Sequence, residues 1–80
     1  MQTYIATFFS HFGAIRFNKD LKAAGLSGKL MPVPRRVSSS CGTCVRYLAE
    51  EAQLSSMDED VEAVYEKIGR DEYILLMEAE

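Results

Sequence analysis

The chain opens with two segments of different hydrophobic period. Residues 3–9 form a short β-branched and aromatic run, which is typical of a strand with both faces at least partly covered. Ser10 ends this run and can cap a helix, because its hydroxyl can accept a backbone N–H of the first turn. The pattern then predicts a helix over residues 11–24, which Gly25 can end by taking a positive φ. The apolar face of this helix recurs at three- and four-residue steps: Ala14, Phe17, Leu21 and Ala24.

Two prolines mark the next segment as extended. Residues 29–34 are predicted as a strand, because each proline restricts the residue before it to extended geometry. A proline cannot donate to a sheet ladder, so this strand is expected at a sheet edge. Residues 35–40 follow as a loop. Residues 43–48 are predicted as a second extended segment, since Thr, Val and Tyr are strand formers, although their apolar positions also fit a helical turn.

The acidic end of the chain predicts a second helix and a last strand. Ser56 and Glu59 have the spacing of a capping box, and the acids beside them suit the positive end of a helix dipole. Apolar residues at helical steps follow, with basic residues near the C-terminal end, so the pattern predicts a helix over residues 57–69. Residues 72–78 are predicted as a strand.

This order of elements, β-α-β-β-α-β, predicts an α+β protein of the ferredoxin-like, split βαβ class. Its four antiparallel strands would lie in the order 4-1-3-2 with both helices on one face. Eighty residues without a linker or a low-complexity tract predict a single domain over residues 1–80. The second and fourth strands would leave open edges, which favour a homodimer.

Composition and charge restrict the function. The chain is 48% hydrophobic and 26% charged, as globular proteins are. No apolar run approaches the roughly 18 residues that span a bilayer, and no basic residue precedes the first apolar segment, so we expect a cytoplasmic protein rather than a secreted or membrane protein. The net charge of −3 is uneven, because residues 1–49 carry seven Lys or Arg and one acid. This basic half lacks a face of interleaved aromatics, so nucleic-acid binding is not expected.

Both cysteines lie in one Cys-x-x-Cys stretch. Cys41 and Cys44 are the only cysteines, and no other stretch offers a nucleophile, a pair of metal ligands or a redox couple. In a reducing cytosol, two close cysteines more often indicate redox, metal or sulfur chemistry than a structural disulfide. We therefore place the candidate chemistry on these two thiols.

The residues around the cysteines could support a reactive thiol. Arg35, Arg36 and Arg46 are candidate cations that could lower the pKa of a thiol. Ser38, Ser39 and Ser40 could hydrogen-bond a bound sulfur atom, and Gly42 has no side chain to obstruct a partner's reactive group. The simpler interpretation is that the arginines are solvated loop charges and the serines a flexible loop.

The same stretch resembles a known family. A first strand ending in Phe-Phe-Ser, Pro-Val-Pro at residues 32–34 and Ser-Cys-Gly at residues 40–42 are similar to the small bacterial putative selenium/sulfur carrier-like proteins. The resemblance implies a ferredoxin-like fold and a carrier cysteine, which by position is Cys41. It implies a protein that holds a persulfide or perselenide and exchanges it with donor and acceptor proteins, without a cofactor, rather than an enzyme with its own turnover. Cys44 departs from the family pattern, where an apolar or small residue is expected.

Two other functions remain open from the residues alone. Cys41 and Cys44 could form a dithiol redox or thiol-exchange pair, although thioredoxin-like motifs open a helix and this one is predicted to open a strand. A non-catalytic interaction module, with an edge strand open to a partner, would tolerate the loss of both cysteines. A metal is not expected, because one Cys pair and the single His11 fall short of four zinc ligands unless a dimer shares the ion.

Overall fold

The computed structural model of the protein describes residues 1–52 and 59–79. The described elements are β1 (Gln2–Phe8), α1 (His11–Ala23), β2 (Ser27–Pro32), β3 (Thr43–Ala49), β4 (Val61–Gly69) and β5 (Glu72–Glu78). The strands form one sheet in the order β2-β3-β1-β4-β5, and every neighbouring pair is antiparallel. No helix within the described ranges is long and apolar enough to cross a membrane.

The predicted ferredoxin-like fold is wrong. Its second helix, predicted over residues 57–69, is replaced from Val61 onward by strand β4, which pairs with β1 on one side and β5 on the other. The sheet therefore has five strands instead of four, and α1 is the only helix among the described elements. Of the predicted capping box, Ser56 lies outside the described residues and Glu59 lies in a turn.

The physical reason lies in the hairpin that residues 61–78 form. Strand β4 pairs with β5 across a tight turn in which Asp71 has a φ of +61°, so β4 takes the place beside β1 that the prediction gave to residues 72–78, and β5 becomes the edge. Val61, Val64, Tyr65 and Ile68 fit helical steps, but β-branched and aromatic residues also favour strands. The backbone pairing of these residues with β1 and β5 selects the strand over the helix.

The local predictions at the start of the chain are confirmed. Ser10 has extended backbone angles and its hydroxyl accepts the Gly13 N–H at 3.2 Å, so it caps α1. Gly25 ends the helix with a φ of +79°. Strand β2 is an edge of the sheet, as predicted, but it spans Ser27–Pro32 instead of residues 29–34 and so contains only the first of the two prolines. Strand β5 is the other edge, and the homodimer predicted from open edges remains a prediction.

One face of the sheet packs against α1 and forms the core. Three aromatic rings carry this contact: Phe17 of α1 lies 5.5 Å from the ring of Phe8 and 5.3 Å from that of Tyr47. Tyr4 stacks on Tyr47 from the neighbouring strand at 5.4 Å. The hydroxyl of Tyr47 donates a hydrogen bond to the carbonyl of Ala52. The ring cluster therefore links β1, β3 and α1, and the hydrogen bond of Tyr47 also holds Ala52, which lies just beyond β3.

Gly28 sets how closely β2 approaches the helix. A Cβ at this position would lie 2.6 Å from Asn18 Oδ1 and 2.9 Å from Leu21 Cδ1, both side chains of α1. A larger residue would have to push these two side chains aside, so glycine lets α1 lie close over the β2 edge.

We expect Tyr47→Phe to destabilise the protein by roughly 1–3 kcal/mol. Tyr47 is only 1% exposed, so the substitution leaves the Ala52 carbonyl without its partner while preserving the ring contacts. Urea unfolding followed by circular dichroism measures the change. Tyr73→Phe is the matched control, because within the described ranges the Tyr73 hydroxyl makes no hydrogen bond. Equal stabilities of the two variants would contradict the prediction.

Candidate functional site

Cys41 lies in a tight turn immediately before β3, which we call the Cys41 turn (residues 39–43). Gly42 has a φ of +75°, a conformation that other L-residues rarely adopt. A Cβ at Gly42 would meet no atom within 4 Å, so glycine is needed here for its backbone angle and the space beside it is open. The Gly42 carbonyl accepts the Val33 N–H at 3.2 Å, which closes the base of the loop between β2 and β3.

Both ends of the Cys41 turn contact the chain between β1 and α1. The Ser39 hydroxyl donates to the Phe8 carbonyl at 3.4 Å and lies 4.0 Å from the Cys41 Sγ. At the other end, the Thr43 Oγ1 lies 3.2 Å from His11 Nδ1. Cys41 itself is half-buried, packs against the core cluster and donates its S–H to the Thr43 carbonyl at 3.4 Å. These contacts hold the turn in place, and the Cys41 side chain on it is partly exposed to solvent.

Glu62 of β4 holds the middle of the turn. Its two carboxylate oxygens accept the Ser40 N–H at 2.9 Å and the Ser40 hydroxyl at 2.7 Å. Partial burial alone would raise the pKa of Glu62, but the two hydrogen bonds from Ser40, with the nearby Ser39 hydroxyl as a smaller contribution, outweigh it and lower the pKa below its usual value. The carboxylate is therefore ionised at neutral pH and acts as a fixed acceptor for the turn.

Cys44 lies in a different environment. It is fully buried in β3, and its S–H donates to the Pro32 carbonyl at 3.7 Å. Burial, and to a lesser extent the nearby Cys41 charge, raise the pKa of the Cys44 thiol to about 11. Val45 and Tyr47 face the helix, so Cys44, by alternation along the strand, faces the opposite side of the sheet.

Both cysteines are free thiols. The burial and raised pKa of Cys44 disfavour it as a nucleophile, because the reactive species is the thiolate. The dithiol hypothesis stays a prediction.

The arginines predicted to activate the thiol lie on exposed surfaces. Arg36 lines a cavity of about 310 Å³ together with Tyr65 and Tyr73. Arg46 lies opposite Lys29 across the β2–β3 pair. Within residues 1–52 and 59–79, neither these two arginines nor Arg35 forms a hydrogen bond or an ion pair with Cys41. Their effect on the thiol stays a prediction.

Metal ligands are not clustered in this part of the protein. Over the described ranges, no group of three or more His, Cys, Asp or Glu side chains could hold a metal ion. The single histidine, His11, instead contacts the side chain of Thr43.

The sequence prediction missed the role of Glu62. Residues 57–69 were predicted to be helical, which would have placed Glu62 on a helix without relation to the turn. A signal was present, because Val61, Ala63 and Val64 flank it in a β-branched segment that also fits a strand. The contact between His11 and the Cys41 turn was also missed, since it depends on the strand pairing of β1 with β3.

Comparison with known proteins identifies a family. A family model described as "Putative Se/S carrier protein-like" matches residues 3–69, a span that includes the Cys41 turn and Glu62. No curated protein and no solved structure matches the chain.

Thiol alkylation should separate the two cysteines. We expect iodoacetamide at neutral pH to modify Cys41 in the folded protein and Cys44 only after unfolding. Cys44 is 0% exposed and, with a pKa of about 11, has almost no thiolate at neutral pH. Peptide mass mapping of native and urea-treated samples measures both sites. Modification of Cys44 in the folded protein at the rate of Cys41 would contradict this assignment.

The Glu62 contact should make stability depend on acid pH. A carboxyl with a lowered folded pKa contributes stability above its unfolded pKa, near the usual value of 4.5, and loses it as pH falls through the folded value. Glu62→Gln should therefore cost on the order of 1 kcal/mol at pH 7 and much less at the lowest pH. Urea unfolding of the parent protein and of Glu62→Gln, at pH 7 and at lower pH values through the folded pKa, measures the difference in the free energy of unfolding.

Glu66→Gln is the matched control for this experiment. Glu66 lies on the same strand, and within the described ranges no hydrogen bond holds its carboxylate. If the stability of both variants depends on pH in the same way as that of the parent protein, Glu62 does not stabilise the turn.

Proposed function

The chain belongs to the "Putative Se/S carrier protein-like" family, and on that premise we propose that it carries a single sulfur or selenium atom on Cys41 and passes it to a partner protein. The family implies contact with partner proteins in general. The persulfide or perselenide on Cys41, and the cytoplasm as its location, are parts of the proposal.

The observation that carries this proposal is the contrast between the two thiols. Cys41 is half-buried on a turn with open space at Gly42, whereas Cys44 is fully buried and has a raised pKa. A carrier needs one thiol that a second protein can reach. Only Cys41 meets this requirement, so the carrier function does not depend on the second cysteine.

The transfer needs no external oxidant. The Cys41 thiolate attacks the terminal sulfur of a persulfide on the donor protein, a new S–S bond forms on Cys41, and the donor leaves as a thiolate. In the second step an acceptor thiolate attacks the terminal sulfur on Cys41, and Cys41 is released as a thiolate. A selenium atom would move in the same two steps. Each displacement forms one bond and breaks one, so the transferred atom changes its host and keeps its oxidation level.

The serines of the turn have separate roles in this proposal. The Ser39 Oγ lies 4.0 Å from the Cys41 Sγ, so its hydroxyl, by turning away from the Phe8 carbonyl to which it donates at 3.4 Å, can donate to a terminal sulfur placed on the thiol. Ser40, another of the three serines suggested for that task from the sequence, donates both its N–H and its hydroxyl to the shorter bonds with Glu62. We assign Ser40 and Glu62 to holding the turn and Ser39 to contact with the cargo.

Cys41→Ser should abolish loading and leave folding unchanged. Intact-mass spectra after incubation with a cysteine desulfurase and free cysteine, without reductant, should show the parent protein gaining the mass of one sulfur atom, which reductant removes. Cys41 provides the nucleophilic sulfur, and serine cannot form a persulfide. Cys44→Ala is the control and should load like the parent protein.

Three outcomes are distinguishable in this experiment. Normal loading of Cys41→Ser rules out the proposed carrier thiol. A loss of two hydrogens without added sulfur would indicate a Cys41–Cys44 disulfide and support the dithiol function instead. Loss of loading in Cys44→Ala, with an unchanged fold, would also favour a function of both thiols.

A further inference from the structure

The cavity at the hairpin of β4 and β5 brings together charged residues that do not pair with one another. Its volume is about 310 Å³, and its lining comes from three segments of the chain: Arg36, Tyr65, Ile68, Asp71, Glu72 and Tyr73. Within the described ranges, no hydrogen bond or ion pair engages the guanidinium of Arg36 or the carboxylates of Asp71 and Glu72. One cation and two anions therefore border the same cavity without neutralising each other.

The backbone that carries these charges is held in place in both segments. Val37, next to Arg36, is only 5% exposed, and its N–H donates to the Pro34 carbonyl at 3.0 Å, so the loop is anchored immediately after the arginine. Asp71 takes a φ of +61° in the tight turn that joins β4 to β5. The positive and the negative charges thus come from two separate segments, each with a defined backbone.

Two tyrosines give the same cavity an aromatic wall. Tyr65 pairs with Leu75 and Lys67 pairs with Tyr73, so the alternation along each strand places Tyr65 and Tyr73 as diagonal neighbours on one face of the sheet. Ile68, which also lines the cavity, is 53% exposed and adds aliphatic surface. The cavity therefore combines an apolar wall with a few charged groups of both signs, as small-molecule sites commonly do.

We infer that this cavity binds a free α-amino acid with an apolar side chain. The guanidinium of Arg36 donates to the α-carboxylate, for which its planar fork is suited. The α-ammonium donates to the carboxylates of Asp71 and Glu72, and the side chain packs on the tyrosine rings. An α-amino acid carries both charges on one carbon, so it bridges protein groups that lie too far apart to pair directly. A ligand with a single charge leaves one side of the cavity unpaired.

This site is separate from the carrier thiol. Glu62, which holds the Cys41 turn, and Ile68, which lines the cavity, lie near opposite ends of β4, roughly 20 Å apart at the rise of a strand. The inference therefore does not depend on the carrier function. Cys41→Ser should bind the amino acid as the parent protein does.

The test is a titration of the isotope-labelled protein with L-methionine, followed by the chemical shifts of the backbone amides. Methionine supplies both charges and a thioether side chain that contacts aromatic rings favourably. We expect saturable shifts at residues 36 and 69–73. L-Methioninamide lacks the carboxylate and N-acetyl-L-methionine lacks the ammonium group. Each should bind at least roughly tenfold more weakly than methionine, because hydrogen bonds between charged groups are lost.

Arg35→Gln is the matched control for Arg36→Gln. Both arginines are exposed and adjacent in the chain, but of the two only Arg36 lines the cavity. Arg36→Gln should weaken methionine binding at least roughly tenfold and should no longer distinguish methionine from methioninamide. Arg35→Gln should bind like the parent protein. Asp71→Asn keeps the turn, since asparagine tolerates a positive φ, and should weaken the binding of methionine but not that of N-acetylmethionine.

The other outcomes each reject the inference. Absence of saturable shifts with methionine, or shifts confined to the Cys41 turn, means that the cavity does not bind an amino acid. Equal losses in Arg35→Gln and Arg36→Gln indicate a general attraction to the basic loop instead of a site. Binding of methioninamide or N-acetylmethionine as tight as that of methionine rejects the recognition of two charges. Absence of methionine binding in a protein that still loads sulfur on Cys41 rejects this site and leaves the carrier function standing.

Discussion

The pairing of β1 with a strand on each side is the constraint on which the site depends. β3 and β4 both run antiparallel to β1, and each supplies a different part of the site at the same end of the sheet. β3 begins with Thr43 at the end of the Cys41 turn, and β4 brings Glu62 to Ser40. The end of β1 supplies the Phe8 carbonyl that accepts from Ser39. If β1 lost either neighbour, the turn would lose part of its support, so the fold and the site are specified together.

Local signals in the sequence were sufficient for the first half of the chain. The helix is predicted correctly within a residue, because Ser10 and Gly25 act on the backbone next to them and need no distant partner. The edge position of β2 was also predictable, since a proline lacks the N–H that a central strand requires. These are steric and hydrogen-bonding properties of single residues, so they can be recognised before the chain folds.

The second half shows where local reasoning fails. Val61, Val64, Tyr65 and Ile68 satisfy a helical period, and the acids before them fit a helix start, so the sequence alone favoured a helix there. What decided the outcome is the pairing of this segment with β1 on one side and with β5 on the other, a tertiary property that no window of residues contains. The error in β4 also concealed Glu62 as a partner of the turn. The cysteines were found from the sequence because their chemistry is carried by the residues themselves, whereas the residues that support them are identified by contacts.

Whether a Cys-x-x-Cys spacing brings two thiols together depends on the backbone conformation of the residues between them. On a helix, residues three apart lie on one face, which brings both thiols of a redox pair together. On a strand, residues three apart point to opposite faces, and the positive φ of Gly42 changes the chain direction further just after Cys41. As a result one thiol reaches the surface on the turn and the other enters the sheet, where burial raises its pKa to about 11. The same spacing that suggests a dithiol in the sequence thus yields one accessible thiol in the structure, and a carrier of a single atom requires no more.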